Sequence, residues 1–208
     1  MLSYILSRLV ALAISLVVAS LVIFVMIELV PGDPASFMLG LNAAPDTVAA
    51  LRAELGLGGS PVQRYLRWIC GMLQGDFGTS YTYRAPVAEL VTARLAVSLP
   101  LALMALVLST LIAIPVGLYA ASHRGKPGDW SVMGLTQLGI AIPNFWFAII
   151  LVVIFAIKLR WFSAGGFPGW DEGIWPSLKA LTLPAVALAL PQASILARVM
   201  RSAVLEVL

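Results

Sequence analysis

Four stretches of eighteen or more residues carry no charged side chain, and the chain's charges fall between them. They are Leu9–Ile27, Leu95–Ser122, Trp130–Ile157 and Ala180–Ala197. As a helix, Leu9–Ile27 extends about 28 Å at about 1.5 Å per residue, close to the thickness of a bilayer's hydrocarbon layer. The two middle windows exceed the ~20 residues a span needs and have room to tilt. Ala180–Ala197 is short, but Arg198 and Arg201 can snorkel and lengthen it. The pattern predicts four membrane-spanning helices. Arg8 and the string Val18-Ala19-Ser20 imitate a cleaved signal. The apolar part of a signal is only about 7–15 residues, so a retained span is the better reading.

The first window stops at ELVPGDPA, residues 28–35. Pro31 and Pro34 lack N–H donors and push Val30 and Asp33 away from helical angles, while Gly32 permits an unusual turn. Helix one should end here, with Glu28 as a hydrated edge residue. Placing the N-terminus inside leaves Arg8, Arg124, Lys126, Arg198 and Arg201 on the inner face. Lys158, Arg160 and Lys179 then lie outside, with the long segment 28–94, whose arginines are largely exempt from the positive-inside rule.

The outer segment has a helical pattern of its own. Pro45-Asp46 opens a helix over TVAALRAELGL that Gly56 and Gly58 end. Ser60 is placed as an N-cap with Pro61 at the first helical position. Val62, Tyr65, Leu66, Ile69 and Leu73 then recur at helical spacing, with Arg64, Arg67 and Gln74 on other faces. Such a helix can lie on the membrane surface, cover the mouth of a pathway or pack on the chain's own spans. Gly75-Asp76-Phe77-Gly78 reads as a closing turn. His123–Asp129 is a short basic inner loop whose lone histidine has no ligand partner at metal spacing. Trp161, Phe162, Trp170 and Trp175 suit an aromatic belt at headgroup level.

Composition agrees with this picture. The 208 residues are 61% hydrophobic and 11% charged, whereas soluble domains sit near half apolar and about a quarter charged. The basic surplus, 13 Lys and Arg against 10 Asp and Glu, needs no nucleic acid to explain it. The single cysteine, Cys70, excludes an internal disulfide. No phosphate-binding loop occurs, since Arg124-Gly125-Lys126 is followed by proline where a hydroxyl should stand. No G-x-S-x-G elbow occurs either. None of the four windows holds the Asp, Glu or His that ion-driven carriers place in their spans. Any driving force is expected from another chain.

The informative positions are therefore polar or helix-breaking ones. Pro143 and Asn144 fall at the middle of span three, where proline frees the Gly139 carbonyl; a kink there is either structural or lines a pathway. Span four carries Pro184, Pro191 and Gln192, with Ala185, Ala189, Ala193 and Ala197 forming a small-residue ridge. Ser194, Arg198 and Arg201 share one face near its inner end, either anchoring the helix to headgroups or orienting a coupling element through Glu206.

Several strings in order carry a family resemblance: VPGDPA (30–35), LRAELGL (51–57), PVQRYLRW (61–68), GDFGTS (75–80), PV (86–87), IPVG (114–117), IPNFWFAIILV (142–152), and LPAVALALP followed by RVMRSAVLEVL. Together they resemble the inner-membrane permeases of ABC importers for dipeptides, oligopeptides and nickel, specifically the B-type subunit. The resemblance implies an all-α polytopic bundle, a partial type I importer permease fold. Residues 1–93 would form the N-terminal transmembrane helix with the outer-face segment, and 94–208 the first part of the permease domain, short of the coupling loop. It further implies a multi-pass protein of the bacterial cytoplasmic membrane, working with a sister permease, two ATP-binding subunits that hold ATP and magnesium, and an extracytoplasmic solute-binding protein. Pro143, Asn144 and Gln192 are then candidates for the substrate pathway. Ser194, Arg198, Arg201 and Glu206 are candidates for coupling or inner-face anchoring, and Arg64, Arg67 and Asp76 for outer-face docking. A self-sufficient secondary carrier or channel is the alternative.

Overall fold

The computed structural model describes residues 1–29, 32–40 and 43–207. They form two compact units, Met1–Ala93 and Arg94–Leu208. In the first, α1 (Leu2–Leu29) is followed by three short helices, α2 (Pro34–Leu39), α3 (Pro45–Glu54) and α4 (Pro61–Leu73). A minimal hairpin of β1 (Thr79–Ser80) and β2 (Ala85–Pro86) pairs Thr79 with Pro86 and Ser80 with Ala85. Helix α5 (Val87–Ser122) continues into the second unit, which adds α6 (Pro127–Ala141), α7 (Asn144–Leu151) and α8 (Ile174–Val207). A π-helical turn over Val152–Lys158 extends α7.

The short helices start where local chemistry dictates. Ser60 accepts from the Gln63 N–H and Gln63 accepts from the Ser60 N–H, a reciprocal capping box with Pro61 behind it. Asp33 caps α2 by accepting from the Ser36 N–H, with Pro34 at the first helical position. The Ser36 hydroxyl, the Ser36 and Ala35 N–H groups and the Arg52 guanidinium 3.0 Å away together hold the Asp33 carboxyl below the usual carboxylate range. Gly56, Gly75 and Gly78 take φ of +65°, +85° and +75°, ending α3 and shaping the turn after α4 as the sequence predicts. The expected break at Val30 and Pro31 lies outside the described residues; Gly32 beyond it has φ +140°. Glu28 is paired with Arg64 rather than merely hydrated.

Among the described residues, α1, α5 and α8 are long and apolar enough to cross a membrane. The expected third span is not one helix with a kink. α6 and the α7 arm meet at 97°, and they make a fourth passage only as a broken pair. Ile142 (ψ 124°) and Pro143 (ψ 130°) are both extended. The proline ring drives the residue before it out of the helical region, so two successive residues redirect the axis.

Packing in the second unit depends on small side chains. The predicted ridge Ala185, Ala189, Ala193 and Ala197 is almost wholly buried, and α8 packs on α6 and α7. A second small-residue ridge, Ala105, Ser109, Ala113, Gly117 and Ala121, runs along α5, all of it buried. A Cβ on Gly117 would lie 2.6 Å from the Ala197 carbonyl oxygen and 2.8 Å from Met200 Cβ. The aromatic group is only partly a belt. Trp170 donates its indole N–H to the Ala96 carbonyl at 2.8 Å, and Phe162 packs on the cluster of Leu151, Ala156, Leu183 and Ala187, whereas Trp175 is exposed.

Two predictions follow from this packing and capping. Gly117→Ala should lower the melting temperature of the full-length protein in detergent. Gly134→Ala, at a helical glycine with open space around it, should leave it unchanged or raise it, the propensity gain being about 0.5–1 kcal/mol. Because the Asp33 carboxyl is lowered in the fold, its stabilisation is complete above the ordinary carboxylate pKa and is lost as pH falls through the folded value. The protection factors of α2 amides, exchange rates corrected for the intrinsic effect of pH, should therefore fall on acidification in the wild type, and an Asp33→Asn variant should lack that dependence.

Candidate functional site

The second unit carries a seam where the C-terminal half of α8 lies antiparallel to α6. It begins at Ser194, which is buried and whose Cβ would stand 3.3 Å from any Cβ placed on Gly139. Glycine at 139 is what lets the two backbones approach. One turn on, the Arg198 Nη2 donates to Gln137 Oε1 at 2.7 Å. At the next step Arg201 grips Asp129 with two parallel bonds, Nε to Oδ1 and Nη2 to Oδ2, each 2.6 Å. The face Ser194, Arg198 and Arg201 read from the sequence is thus a packed face, and both guanidinium groups find their partners on α6.

Asp129 is the deepest acid in the chain, 2% exposed. It stands third in α6, after Pro127 and Gly128, where the unpaired N–H groups of the first turn favour a negative side chain. Its Oδ2 also accepts from the Gly125 N–H at 3.0 Å, so the carboxylate fastens the 123–129 loop as well as α8. Gly128 admits the Tyr119 ring, whose hydroxyl would be 2.8 Å from a Cβ there, and Tyr119 stacks on His123 at 4.3 Å between centroids. Among the described residues, every buried side-chain nitrogen and oxygen has a hydrogen-bond partner. A buried carboxylate is tolerable only on those terms. Asp129 and Gln137 escaped the sequence reading because nothing local marks a residue's partner 72 or 61 positions away.

The other candidates lie apart from the seam. Pro143 and Asn144 are exposed at the break between α6 and α7, Gln192 is exposed on α8, and Glu206 is exposed near its end. In the first unit, Arg64 donates to the Leu57 and Gly59 carbonyls and to Glu28, and Arg67 to the Gly56 carbonyl at 2.9 Å. Asp76 accepts from the Gly78 N–H at 2.9 Å. These three side chains hold turns and helix ends together.

Beside the seam is a cleft of about 480 Å³ between α5, α6 and α8, lined by Ile112, Val116, Leu135, Thr136, Leu190 and Ser194. The Thr136 and Ser194 hydroxyls are occupied by backbone carbonyls of their own helices. Nothing in the cleft is nucleophilic by environment, and among the described residues no three His, Cys, Asp or Glu side chains gather as a metal site.

Comparison with known proteins agrees in kind. Residues 1–102 match the family profile described as the N-terminal part of binding-protein-dependent transport system membrane components. Residues 113–208 match that of the binding-protein-dependent transport system inner membrane component. A Brucella suis chain whose name reads peptide transport system permease protein is 38% identical over 198 residues, 95% of this chain and 63% of its own length. The glutathione transport system permease protein GsiC of Salmonella paratyphi A is 35% identical over 208 residues, 100% of this chain and 65% of its own. The oligopeptide transport system permease protein AppB of Bacillus subtilis is 35% identical over 188 residues, 89% of this chain and 60% of its own. The chain therefore spans under two thirds of the length of these relatives.

Removing one partner of the buried pair leaves the other uncompensated. Asp129→Ala and Arg201→Ala should each lower the melting temperature of the full-length protein. The double variant should lose less than the sum of the two, and strictly additive losses would show the pair to be energetically idle.

Proposed function

The chain belongs to the family of binding-protein-dependent transport system inner membrane components, and from that premise we propose that it serves as part of a permease subunit in an ATP-driven importer of peptides or a related small solute. It is multi-pass and sits in the cytoplasmic membrane. A sister permease completes the passage, an extracytoplasmic binding protein delivers the solute, and two ATP-binding subunits hold ATP and magnesium. The chain itself hydrolyses nothing: its part is to change the helix arrangement that faces one side or the other.

The single observation that carries this reading is the seam on α8. A helix that must transmit movement needs its end fixed rigidly to something else, and the Arg201 fork on Asp129 joins α8 to α6 and to the 123–129 loop at one point. Small residues along the rest of α8 let it slide or tilt against its neighbours without unpicking large side chains. The break at Ile142–Pro143 supplies a second joint, where exposed Asn144 offers its amide to a passing solute.

The test is uptake by the full-length permease reconstituted with its partner subunits. Uptake should require both ATP and the binding protein; uptake driven by an ion gradient alone would establish a secondary carrier or channel instead. Lysine cannot reproduce two parallel N–H···O bonds to one carboxylate. Arg201→Lys should therefore lower solute moved per ATP hydrolysed by several-fold, while Arg198→Lys, which exchanges a single bond to Gln137, should change it little. Equal uptake per ATP in both variants would remove the seam from coupling.

A further inference from the structure

In the first unit, contacts with α1 set the attitude of α4. Arg64 meets Glu28, at the end of the uncharged run of α1. Trp68 stacks on Phe24, with centroids 6.3 Å apart. Tyr65 meets the Phe24 ring edge-on at 5.3 Å, and its hydroxyl is 2.9 Å from the Ser20 hydroxyl. Phe24 and Ser20 lie about 6 and 12 Å below Glu28 along the helix axis, at about 1.5 Å per residue.

The order of these contacts runs around α4 rather than along it. At about 100° per residue, the sequence Arg64, Trp68, Tyr65 is a rotation about the helix axis, and each step lies deeper on α1. Helix α4 therefore lies across α1, with rotation converted into depth. Continuing the rotation past Tyr65 brings Ile69, Val62, Leu73 and Leu66. Turning the other way from Arg64 brings Gly71, Arg67, Gln74 and Gln63. The first set is wholly apolar and lies on the side of α4 away from Glu28, whereas the second is polar apart from Gly71 and lies on the opposite side.

The downward flank is uncovered in this chain. Val62 is 67% exposed, Leu66 55% and Leu73 83%, an expensive arrangement in water. On α1 itself Leu16, Val17 and Ile23 are exposed as well, as expected where a membrane-crossing helix meets lipid. The backbone is prepared for the same surroundings. At the C-terminal end of α4 the Gly71 carbonyl accepts from Gln74 and Asp76, and the Met72 carbonyl from Gly75. At the N-terminal end the capping box serves the first donors.

We infer that α4 is an interfacial helix: it lies in the plane of the bilayer beside α1, with Val62, Leu66 and Leu73 inserted among the acyl chains and Arg64 and Arg67 at headgroup level. The inference rests on α1 crossing the membrane and is independent of the solute carried. Helix α4 thereby fixes the depth and rotation of α1 from the side.

Two measurements test it on the full-length protein in phosphatidylcholine vesicles. In a Cys70→Ser background, an environment-sensitive fluorophore is placed singly by Leu66→Cys, Leu73→Cys, Gln63→Cys and Gln74→Cys. Doxyl-labelled phosphatidylcholine should quench the first two at least three-fold more than the last two, and aqueous iodide should show the opposite order. Stronger iodide quenching at 66 and 73 would place the flank in water and overturn the inference. Protection from both quenchers would overturn it in favour of a protein partner. The unsubstituted chain gives an independent reading through phosphatidylcholine with a photoactivatable acyl chain. Adducts should map to Val62, Leu66 and Leu73, and labelling of α1 without labelling of α4 would sink the proposal.

Discussion

Helix α8 reaches α6 and α7 closely because its buried positions are mostly small. Ala185, Ala189, Ala193 and Ala197 lie one above another along it, and glycine faces it at 117 on α5 and at 139 on α6. In a bilayer the surrounding lipid is as apolar as a leucine side chain, so helices gain little from burying large apolar groups against each other. What they gain comes from close van der Waals contact and from hydrogen bonds that span the gap. The distance set by these small residues is what brings Arg198 within 2.7 Å of Gln137 and Arg201 within 2.6 Å of Asp129.

That proximity lets a charged pair exist at the end of the bundle. Asp129 is buried, and a buried carboxylate is costly unless its lone pairs are taken up. Here two guanidinium bonds, one backbone N–H and the first turn of α6 share the work. A pair of this kind contributes less to stability than to position: its two parallel bonds admit one relative placement of the helices. The apolar surfaces elsewhere carry no directional bonds of this kind.

Much of the local structure was legible in the residues. Ser60 with Gln63, Pro61 at the first helical position, and the glycines at 56, 75 and 78 specify their turns within a few residues, and the structure follows them. Pro143 marks the interruption of the third apolar run but not its size. A proline inside a helix suggests a kink, and only the backbone shows that Ile142 has also left the helical region and turned the axis by 97°.

The sequence by itself determined that the chain crosses membranes, roughly where it does so, and which faces of α4 and α8 differ from the rest, because these follow from hydropathy and helical period. It also exposed the ordered strings whose resemblance agrees with the family profiles. Tertiary structure alone decided what the distinguished faces meet. The face bearing Arg198 and Arg201 turns to Gln137 and Asp129, and Arg64 to Glu28 and nearby carbonyls. A side chain's chemistry states which partners would satisfy it, but over separations of 61 or 72 residues many partners qualify. The choice among them is made by the distance between helix backbones, which is a property of the packed bundle and of no segment within it.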